Sequence, residues 1–374
     1  MRLPQFRLER YFARYEFDVE HLLCCSDCES LTVDELLALE PGDADSRSAS
    51  QRLREHWLGY TESQGSPSLR REISRLYCTV SPDQVLVHSG AEEAIFLFMH
   101  ALLEPDDHVI VHWPCYQSLA AVAASIGCQI TRWEAREDRG WSLDLNELTD
   151  HLCPATKAIV INLPHNPTGY VMPHETFNQV VDIARSHGIT LFSDEVYREC
   201  EYAVEDRLPA ACDLDEKAVS LGVMSKTYGL AGLRVGWIAT HNTAVYERMA
   251  ALKDYTTICN SAPSELLAEV ALRHRQRLIE RNVGIITENL ALLDDFFDRH
   301  TKTFAWQRPK AGPIAFPRLL DGDSELFCDG LVREAGVLLL PGVVFDDRGN
   351  HFRIGFGRRG VSDALARVEM YLSR

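Results

Sequence analysis

The sequence has little positive charge for its size and no long run of apolar residues. Lysine and arginine together number 38, against 55 aspartates and glutamates, and the formal net charge at pH 7 is −17. A surface that binds nucleic acid needs clustered basic side chains to neutralise phosphates, so this balance argues against a nucleic-acid partner. A membrane-spanning helix needs roughly 18 to 20 consecutive apolar residues. The sequence contains no such run, so we expect no membrane partner.

Export signals and paired cysteine patterns are also missing. The first residues, MRLPQFRLERYFARYEF, carry arginines throughout and no continuous apolar core, so they do not predict a signal peptide. The 11 cysteines are scattered, which favours reduced thiols in a cytoplasmic protein over a disulfide framework. In HLLCCSDC, the residues His21, Cys24, Cys25 and Cys28 have ligand-like spacing. No second ligand pair follows nearby, so we expect no metal site.

The middle of the chain contains apolar runs that alternate with helical patterns. These strand candidates are VLVHSG (85–90), HVIVHW (108–113), CQITRWEA (128–135), AIVINLP (158–164), ITLFSDEVY (189–197), AVSLGV (218–223) and RVGWIAT (234–240). Most are continuously apolar, as expected for strands that are buried on both faces. The pattern predicts an α/β fold with a mostly parallel, helix-covered, seven-stranded sheet. Ligands of such sheets bind beyond the carboxyl ends of the strands.

A second, smaller α+β domain is predicted after about residue 241. A polar helical stretch over 242–300 precedes strand candidates at 312–319, 336–345 and 351–357. We expect the N-terminal arm to join this domain. The predicted division is an N-terminal arm with part of the small domain over 1–45, a large domain over 46–245, a linking helix over 246–280 and a C-terminal small domain over 281–374.

Several polar residues follow the predicted strands and would meet at one edge of the sheet. Gly90 opens a helix whose free backbone N–H groups suit a phosphate, although an ordinary strand-to-helix turn has the same pattern. Asn166 lies in the turn PHNPTG just past a strand. Asp194 ends a buried strand, where its carboxylate needs a partner such as a protonated ring nitrogen. Tyr197 could offer a phenol to the same ligand.

Lys226 completes a set of polar residues that could bind one ligand. It follows the strand over 218–223 in the stretch VMSKTYGLAGLRVGW, which is otherwise small and apolar apart from Arg234. A desolvated lysine amine becomes reactive toward a carbonyl, and an arginine fork suits a phosphate. A phosphate cradle, an anion for a ring nitrogen, donors for a ring oxygen and an amine together match the functional groups of pyridoxal 5′-phosphate (PLP).

The motifs resemble those of fold-type I PLP enzymes, specifically the class I and II aminotransferases. SKTYGLAGLR is similar to the family's cofactor-lysine signature, and SGAEEA, WPCY, LPHNPTG, SDEVY and FRIGFG follow in the family's order. The segments LERYFARYEFDV, KDYTT, GPIAFPR and GVLLLPGVVF resemble the capreomycidine synthase branch, whose members cyclise a hydroxylated arginine.

The resemblance implies a role for each matching position. Lys226 would carry the cofactor as a Schiff base, and Asp194 would face the ring nitrogen. Asn166 and Tyr197 would donate to the ring oxygen, and Tyr116 would stack on the ring. The phosphate would be bound by the segment at Gly90, Ala91 and Glu92, with Ser225 and Arg234. Arg353 would bind the substrate carboxylate, and Tyr60 would reach the phosphate of a neighbouring subunit. These positions imply a homodimer with shared active sites that acts on an amino acid and a 2-keto acid.

The resemblance leaves the reaction open between two chemistries. Transamination is the favoured reading because Tyr197 fits that pattern, and cyclisation of a hydroxylated arginine is the alternative. A sensor without catalysis is disfavoured because both Lys226 and Arg353 are present. Two departures affect binding. Val223 stands where many relatives have a hydroxyl that contacts the phosphate, and LLCCSDCESLT (22–32) replaces the usual glycine-rich loop. Acidic residues near the opening, Asp27 or Glu29, would favour a basic substrate.

Overall fold

Strands and helices alternate through the middle of the chain, as the sequence predicts. The fold comes from a computed structural model, which describes residues 3–42 and 47–374. The strands are β1 His21–Leu22, β2 Val85–His88, β3 His108–Trp113, β4 Gln129–Glu134, β5 Thr156–Asn162, β6 Thr190–Asp194, β7 Val219–Val223, β8 Gly236–Thr240, β9 Phe304–Ala305, β10 Ile314–Ala315, β11 Arg318–Leu319, β12 Val337–Leu338, β13 Leu340–Pro341 and β14 Phe352–Gly355. The helices are α1 Arg7–Tyr15, α2 Val33–Leu37, α3 Ala49–Arg54, α4 Pro67–Ser74, α5 Ala91–Leu102, α6 Ser118–Ile126, α7 Leu145–Asp150, α8 His174–His187, α9 Ala211–Leu214, α10 Thr243–Lys253, α11 Ala262–Arg273, α12 Arg275–Arg299, α13 Ser324–Ala335 and α14 Val361–Leu372.

The central sheet has seven strands in the order β2-β8-β7-β6-β5-β3-β4. Strand β8 runs antiparallel to both of its neighbours, and the other pairs are parallel. Each of the seven strand candidates forms one strand of this sheet, so the predicted fold class is confirmed. The carboxyl ends of β3, β5, β6 and β7 therefore lie along one edge.

Both faces of the sheet are covered, which explains the continuous apolar runs. Along β5, Val160 belongs to the core cluster that contains Phe98 of α5, whereas its neighbour Ile159 belongs to the cluster that contains Phe177 of α8. Successive side chains of a strand point to opposite faces, so both faces must be apolar. The edge strand β4 is largely half-buried or exposed.

Two details of the sequence prediction are corrected. The strand at 234–240 begins at Gly236, because Arg234 has a φ of 52° and lies in a tight turn before the strand. The predicted linking helix over 246–280 is not one helix, since the chain there runs through parts of α10, α11 and α12. Ile258 has a φ of 62°, which an α-helix does not allow, and Ser261 caps the next helix.

The two ends of the chain pack together beside the large sheet. Strand β1 pairs in parallel with β12, and β10, β14 and β13 form a small antiparallel sheet. This arrangement agrees with an N-terminal arm that joins the C-terminal segment. The division into four segments stays a prediction, and its boundary at 45/46 lies outside the described residues. Within residues 3–42 and 47–374, no helix is both long and apolar enough to cross a membrane.

Candidate active site

A cavity of about 250 Å³ opens at the carboxyl edge of the central sheet. Helix α1, the segment 25–27, the start of α5 and the turns after β3, β5, β6 and β7 contribute to its wall. The predicted site residues that line it are Ala91, Glu92, Tyr116, Asn166, Asp194, Tyr197, Ser225, Lys226 and Arg234. The fold thus brings together polar residues that are separated by more than 140 positions in the sequence.

Lys226 follows β7 and points into this cavity. Its side chain is half-buried, and Nζ lies 2.8 Å from Ser26 Oγ. Burial lowers the pKa of the Lys226 amine, while the nearby Asp27 carboxylate opposes this shift. A lowered pKa increases the fraction of neutral amine, which is the nucleophilic form. The environment of Lys226 therefore suits covalent attachment of a carbonyl compound.

Asp194, the last residue of β6, lacks a strong partner. The carboxylate is buried and accepts one long hydrogen bond, at 3.3 Å from the Val196 backbone N–H. Burial raises the pKa of Asp194 to about 7. Asn162 fixes its surroundings, because Nδ2 donates to the Asp194 carbonyl at 3.0 Å and Oδ1 accepts from the Asn166 backbone at 2.7 Å. A buried carboxylate in this state fits a cationic ring nitrogen.

An anion-binding corner lies at the start of α5. Gly90 caps this helix with a φ of 87°, and a Cβ placed there would lie 2.7 Å from Arg234 Nη2. A side chain at position 90 would therefore displace the guanidinium. Within the described parts of the chain, no carboxylate forms an ion pair with Arg234. The Arg234 guanidinium, whose Nη1 donates to the Ala231 carbonyl at 3.2 Å, fits a phosphate together with the helix N-terminus and the Ser225 side chain. Val223 also lines the cavity and offers no hydroxyl.

Asn166 and Tyr197 differ in how free their donors are. The Asn166 side-chain oxygen accepts a hydrogen bond from Arg353 Nη1 at 3.2 Å, which leaves the amide NH₂ to donate to a ligand. Tyr197 lines the cavity, but its hydroxyl donates to the Ser26 carbonyl at 3.0 Å. A phenol has one proton to donate, so Tyr197 is already engaged. The predicted donation from Tyr197 to a ring oxygen would require this bond to break.

Tyr116 and Glu92 also line the cavity. The Tyr116 ring packs 5.3 Å, centroid to centroid, from that of Phe6. Glu92, predicted to contribute through its backbone, also presents its carboxylate to the cavity, where it accepts from Ser118 Oγ at 3.0 Å. Burial raises the pKa of Glu92.

Arg353 is fully buried in β14 and does not line the cavity, although it bonds to Asn166, which does. Its Nε and Nη2 donate to the Cys24 carbonyl at 3.2 and 2.8 Å, and Nη1 donates to Asn166. No carboxylate in residues 3–42 or 47–374 lies within ion-pair distance of it. A buried guanidinium without a counter-ion is costly unless an anion joins it. Arg353 is thus placed near Asn166 with its charge uncompensated.

Tyr60 lies away from this cavity. Its side chain is 83 % exposed and borders a separate surface groove with Trp57 and Glu265. The structure therefore does not bring Tyr60 to the Lys226 of its own chain. Its predicted role in a neighbouring subunit's site stays a prediction.

The cysteines of HLLCCSDC are divided between two core clusters. Cys24 and Cys25 belong to one core cluster, Cys28 belongs to another, and His21 is half-buried in β1. In the part of the chain that the structure describes, no group of three or more His, Cys, Asp or Glu side chains is arranged to hold a metal ion.

Sequence reasoning missed the residues that reach the cavity from the N-terminal arm. Glu9 and Glu16 of the α1 region line the cavity, together with Ser26. The pattern LERYFARYE shows an amphipathic helix but does not show which sheet edge it covers. Of the two acids predicted near the opening, Asp27 lines the cavity but is bound bidentately by Arg358, at 2.9 and 2.7 Å.

Glu29, the other acid predicted near the opening, does not line this cavity. Its carboxylate accepts from the backbone N–H of Arg359 at 2.9 Å. The structure therefore places Glu9 and Glu16, and not Glu29, in the cavity wall.

The sheet order and this set of side chains define the class of protein. A half-buried lysine, a buried carboxylate and a guanidinium without an ion pair in the described residues, all at the carboxyl edge of such a sheet, are those of a fold-type I PLP enzyme. The chain belongs to the class I and II aminotransferase family, whose sequence profile matches residues 27–367. Pyridoxal phosphate is its cofactor.

Three relatives illustrate the range of the match. The chain is 30 % identical to capreomycidine synthase of Streptomyces vinaceus over 358 residues, which cover 95 % of this chain and 90 % of the relative. The crystal structure of a PLP-dependent aminotransferase from Streptococcus suis has a TM-score of 0.93 at 34 % identity and covers 100 % of this chain and 99 % of the other. The structure of the PLP-dependent cyclase OrfR has a TM-score of 0.90 at 29 % identity, with coverages of 100 % and 98 %.

Proposed function

We propose that the enzyme transfers the amino group of an L-amino acid to a 2-keto acid, with Lys226 joined to the cofactor aldehyde as a Schiff base. One observation carries the proposal: a single cavity contains a half-buried lysine of lowered pKa, a buried carboxylate without a strong partner, and a guanidinium without an ion pair. These are Lys226, Asp194 and Arg234. Each of the three is unfavourable alone and is satisfied by one functional group of PLP.

The chain's own residues then divide the work. When bound, PLP supplies an electron-poor ring that stabilises negative charge at the substrate Cα. Asp194 holds a proton on the ring nitrogen, and Arg234 with the start of α5 binds the phosphate. Arg353 binds the substrate α-carboxylate. The Lys226 amine, once released, takes the proton from Cα and returns it to the product.

The test combines site mapping with a single turnover. Borohydride reduction of the loaded enzyme, followed by peptide mass mapping, should place the pyridoxyl group on Lys226. Lys253 is an internal control, because it is also buried and its Nζ donates to the Ser63 carbonyl. Addition of a reactive amino acid should convert the bound cofactor to its pyridoxamine form and release a keto acid. Labelling of another lysine would contradict the proposed role of Lys226.

A second candidate function is cyclisation of a hydroxylated arginine, and one observation favours it. Glu9 and Glu16 line the cavity, and in the described residues neither forms an ion pair. A cationic substrate side chain would offset these charges. Arg358, whose charge acts to lower the pKa of Glu16 against the effect of burial, is already held by Asp27. Capreomycidine synthase and the cyclase OrfR are among the relatives, so a guanidinium-bearing substrate fits both the site and the similarity.

Spectra under single-turnover conditions separate the two functions. A transaminase leaves the cofactor in the pyridoxamine form and needs a keto acid to return. A cyclase expels a β-substituent and regenerates the starting absorbance without a keto acid. Arginine, 3-hydroxyarginine and an acidic amino acid should be compared. If only 3-hydroxyarginine reacts and no keto acid appears, the transaminase proposal is wrong.

We also infer a homodimer with shared active sites. Large apolar side chains are exposed on two adjoining loops: Trp57, Leu58, Tyr60, Tyr255 and Ile258. The chain segments next to these loops are joined, because Nζ of Lys253, at the end of α10, donates to the Ser63 carbonyl. Exposed patches of this kind mark protein interfaces. A second copy packed here would cover the patch and could bring Tyr60 of the partner subunit to the phosphate corner.

A further inference from the structure

The segment Leu23–Glu29 lies directly over Lys226 and replaces the loop usual in the family. Within it, Ser26 is half-buried and lines the cavity that Asp194 and Arg234 also line. Its hydroxyl is 2.8 Å from Lys226 Nζ, a full-strength hydrogen bond. Among the hydrogen bonds of the described residues, this is the one that the Lys226 amine makes.

Ser26 is held in place from three directions. On one side, the Gly355 backbone N–H donates to the Leu23 carbonyl at 3.1 Å; on the other, the Glu29 N–H donates to the Gly357 carbonyl at 2.8 Å. The Ser26 carbonyl itself accepts from the Tyr197 hydroxyl. A Cβ on Gly355 would lie 2.0 Å from the Cys25 carbonyl oxygen, so a larger residue would push the segment away from the lysine.

A hydroxyl in this position can pass a proton, whereas the nearby polar groups of Asp27 and Tyr197 are already engaged. Ser26 Oγ accepts an N–H of Lys226 and keeps its own proton to donate into the cavity. Asp27 is engaged with both nitrogens that Arg358 offers, and the Tyr197 proton is bound to the Ser26 carbonyl. Lys226 and Ser26 therefore form a two-member chain that ends at a donor facing the space where substrate binds.

We propose that Ser26 is a further catalytic residue, a hydroxyl that relays a proton between Lys226 and the bound substrate. In the forward step, Ser26 Oγ–H gives its proton to a substrate atom as Oγ takes one from the protonated Lys226 amine. The serine ends unchanged and the lysine ends neutral. This extends the reach of the lysine by one hydrogen bond. The inference rests on the proposed function in that Lys226 is the residue that exchanges protons with substrate.

The test measures the Lys226 amine without relying on turnover. In the full chain freed of cofactor, the pH dependence of Lys226 acylation by a limiting reagent is followed by peptide mass spectrometry. Ser26→Ala removes the acceptor of the amine, and Ser26→Thr retains a hydroxyl. Leu23→Val trims a buried core side chain of the same segment and leaves the hydroxyl in place, so it reports on loosening alone.

Hydrogen bonds to charged groups are about twice as strong as neutral ones, so losing this acceptor should lower the midpoint of Lys226 acylation by about 0.7 pH unit in Ser26→Ala. Ser26→Thr should keep the wild-type midpoint, and Leu23→Val should not shift it. In the loaded enzyme, Ser26→Ala should slow exchange of the substrate Cα proton with deuterium oxide at least about tenfold, and Ser26→Thr should restore most of that rate.

Two results would overturn the relay. One is an acylation midpoint in Ser26→Ala that equals the wild-type value. The other is an equal shift in Leu23→Val, which would show that the segment acts by packing. Mapping of the cofactor to a lysine other than Lys226 would refute the proposed function instead, and the acylation result would still report on the Ser26 hydrogen bond.

Discussion

Replacing Asp194 by asparagine should remove the negative charge opposite the cofactor ring while keeping the size of the side chain. The carboxylate is 5 % exposed and accepts only the 3.3 Å hydrogen bond from Val196. An ion pair that Asp194 forms with the ring nitrogen is therefore poorly screened by water, and such a pair is worth a few kcal/mol. About 1.4 kcal/mol corresponds to a tenfold change in rate, so we expect kcat to fall at least about a hundredfold.

The assay is turnover at saturating substrate, with borohydride mapping to confirm that Lys226 still carries the cofactor. Glu195→Gln is the matched control, because Glu195 is the next residue and is also buried. Its carboxylate accepts instead from the Ala211 backbone at 2.9 Å and from Ser220 Oγ at 2.7 Å, away from the cavity. This control should lose stability but retain kcat within a few-fold. Near-normal turnover in Asp194→Asn would show that another group faces the ring.

Three further predictions follow from the same geometry. Arg353→Lys keeps the charge but loses the planar fork, so KM should rise at least about tenfold with a smaller change in kcat; an unchanged KM would place the carboxylate elsewhere. Light scattering at micromolar concentration should give a dimer, and a monomer would exclude shared sites. In mixed dimers in which only the subunit without the Tyr60→Phe change retains Lys226, that change should weaken cofactor binding at this lysine. Because burial raises the pKa of Asp194 to about 7, the folded cofactor-free protein keeps a proton that the unfolded chain loses near pH 4. Between about pH 4 and pH 7, its unfolding free energy should therefore fall by on the order of 4 kcal/mol relative to that of Asp194→Asn. If unfolding free energies from urea denaturation have the same pH dependence in the two proteins, this prediction is wrong.

The sheet and most of its ligand-facing residues could be predicted from the sequence because their signals are local. Val160 and Ile159 face opposite core clusters, so the sequence of β5 is continuously apolar. Asp194 is a charged residue at the end of the otherwise uncharged neighbouring strand β6 and is therefore conspicuous in the sequence. The sequence pattern predicts that Arg234 belongs to a strand, because a non-glycine residue with a left-handed backbone conformation cannot be recognised from the sequence. Its predicted position in the cavity nevertheless holds.

The arm over the cavity could not be predicted in the same way. The contacts of Glu9, Glu16 and Ser26 join residues separated by about 200 positions or more from the sheet turns that they face. An amphipathic helix shows that one face is covered but not by which partner. The hydrogen bond of Tyr197 to the Ser26 carbonyl is equally non-local, and it removes the donor that the motif SDEVY suggests.

Strand β14, which carries Arg353, and the segment that carries Ser26 are hydrogen-bonded to each other. Arg353 donates twice to the Cys24 carbonyl, two residues before Ser26, whereas Lys226 belongs to the large sheet. A carboxylate that draws the Arg353 guanidinium toward itself must also pull on the backbone that carries the hydroxyl. Binding of the substrate carboxylate at Arg353 would thus be coupled to the Lys226–Ser26 hydrogen bond through the Cys24 carbonyl. A substitution of Leu22 or Leu338 that shifts β1 against β12 would then disturb both substrate binding and the environment of Lys226.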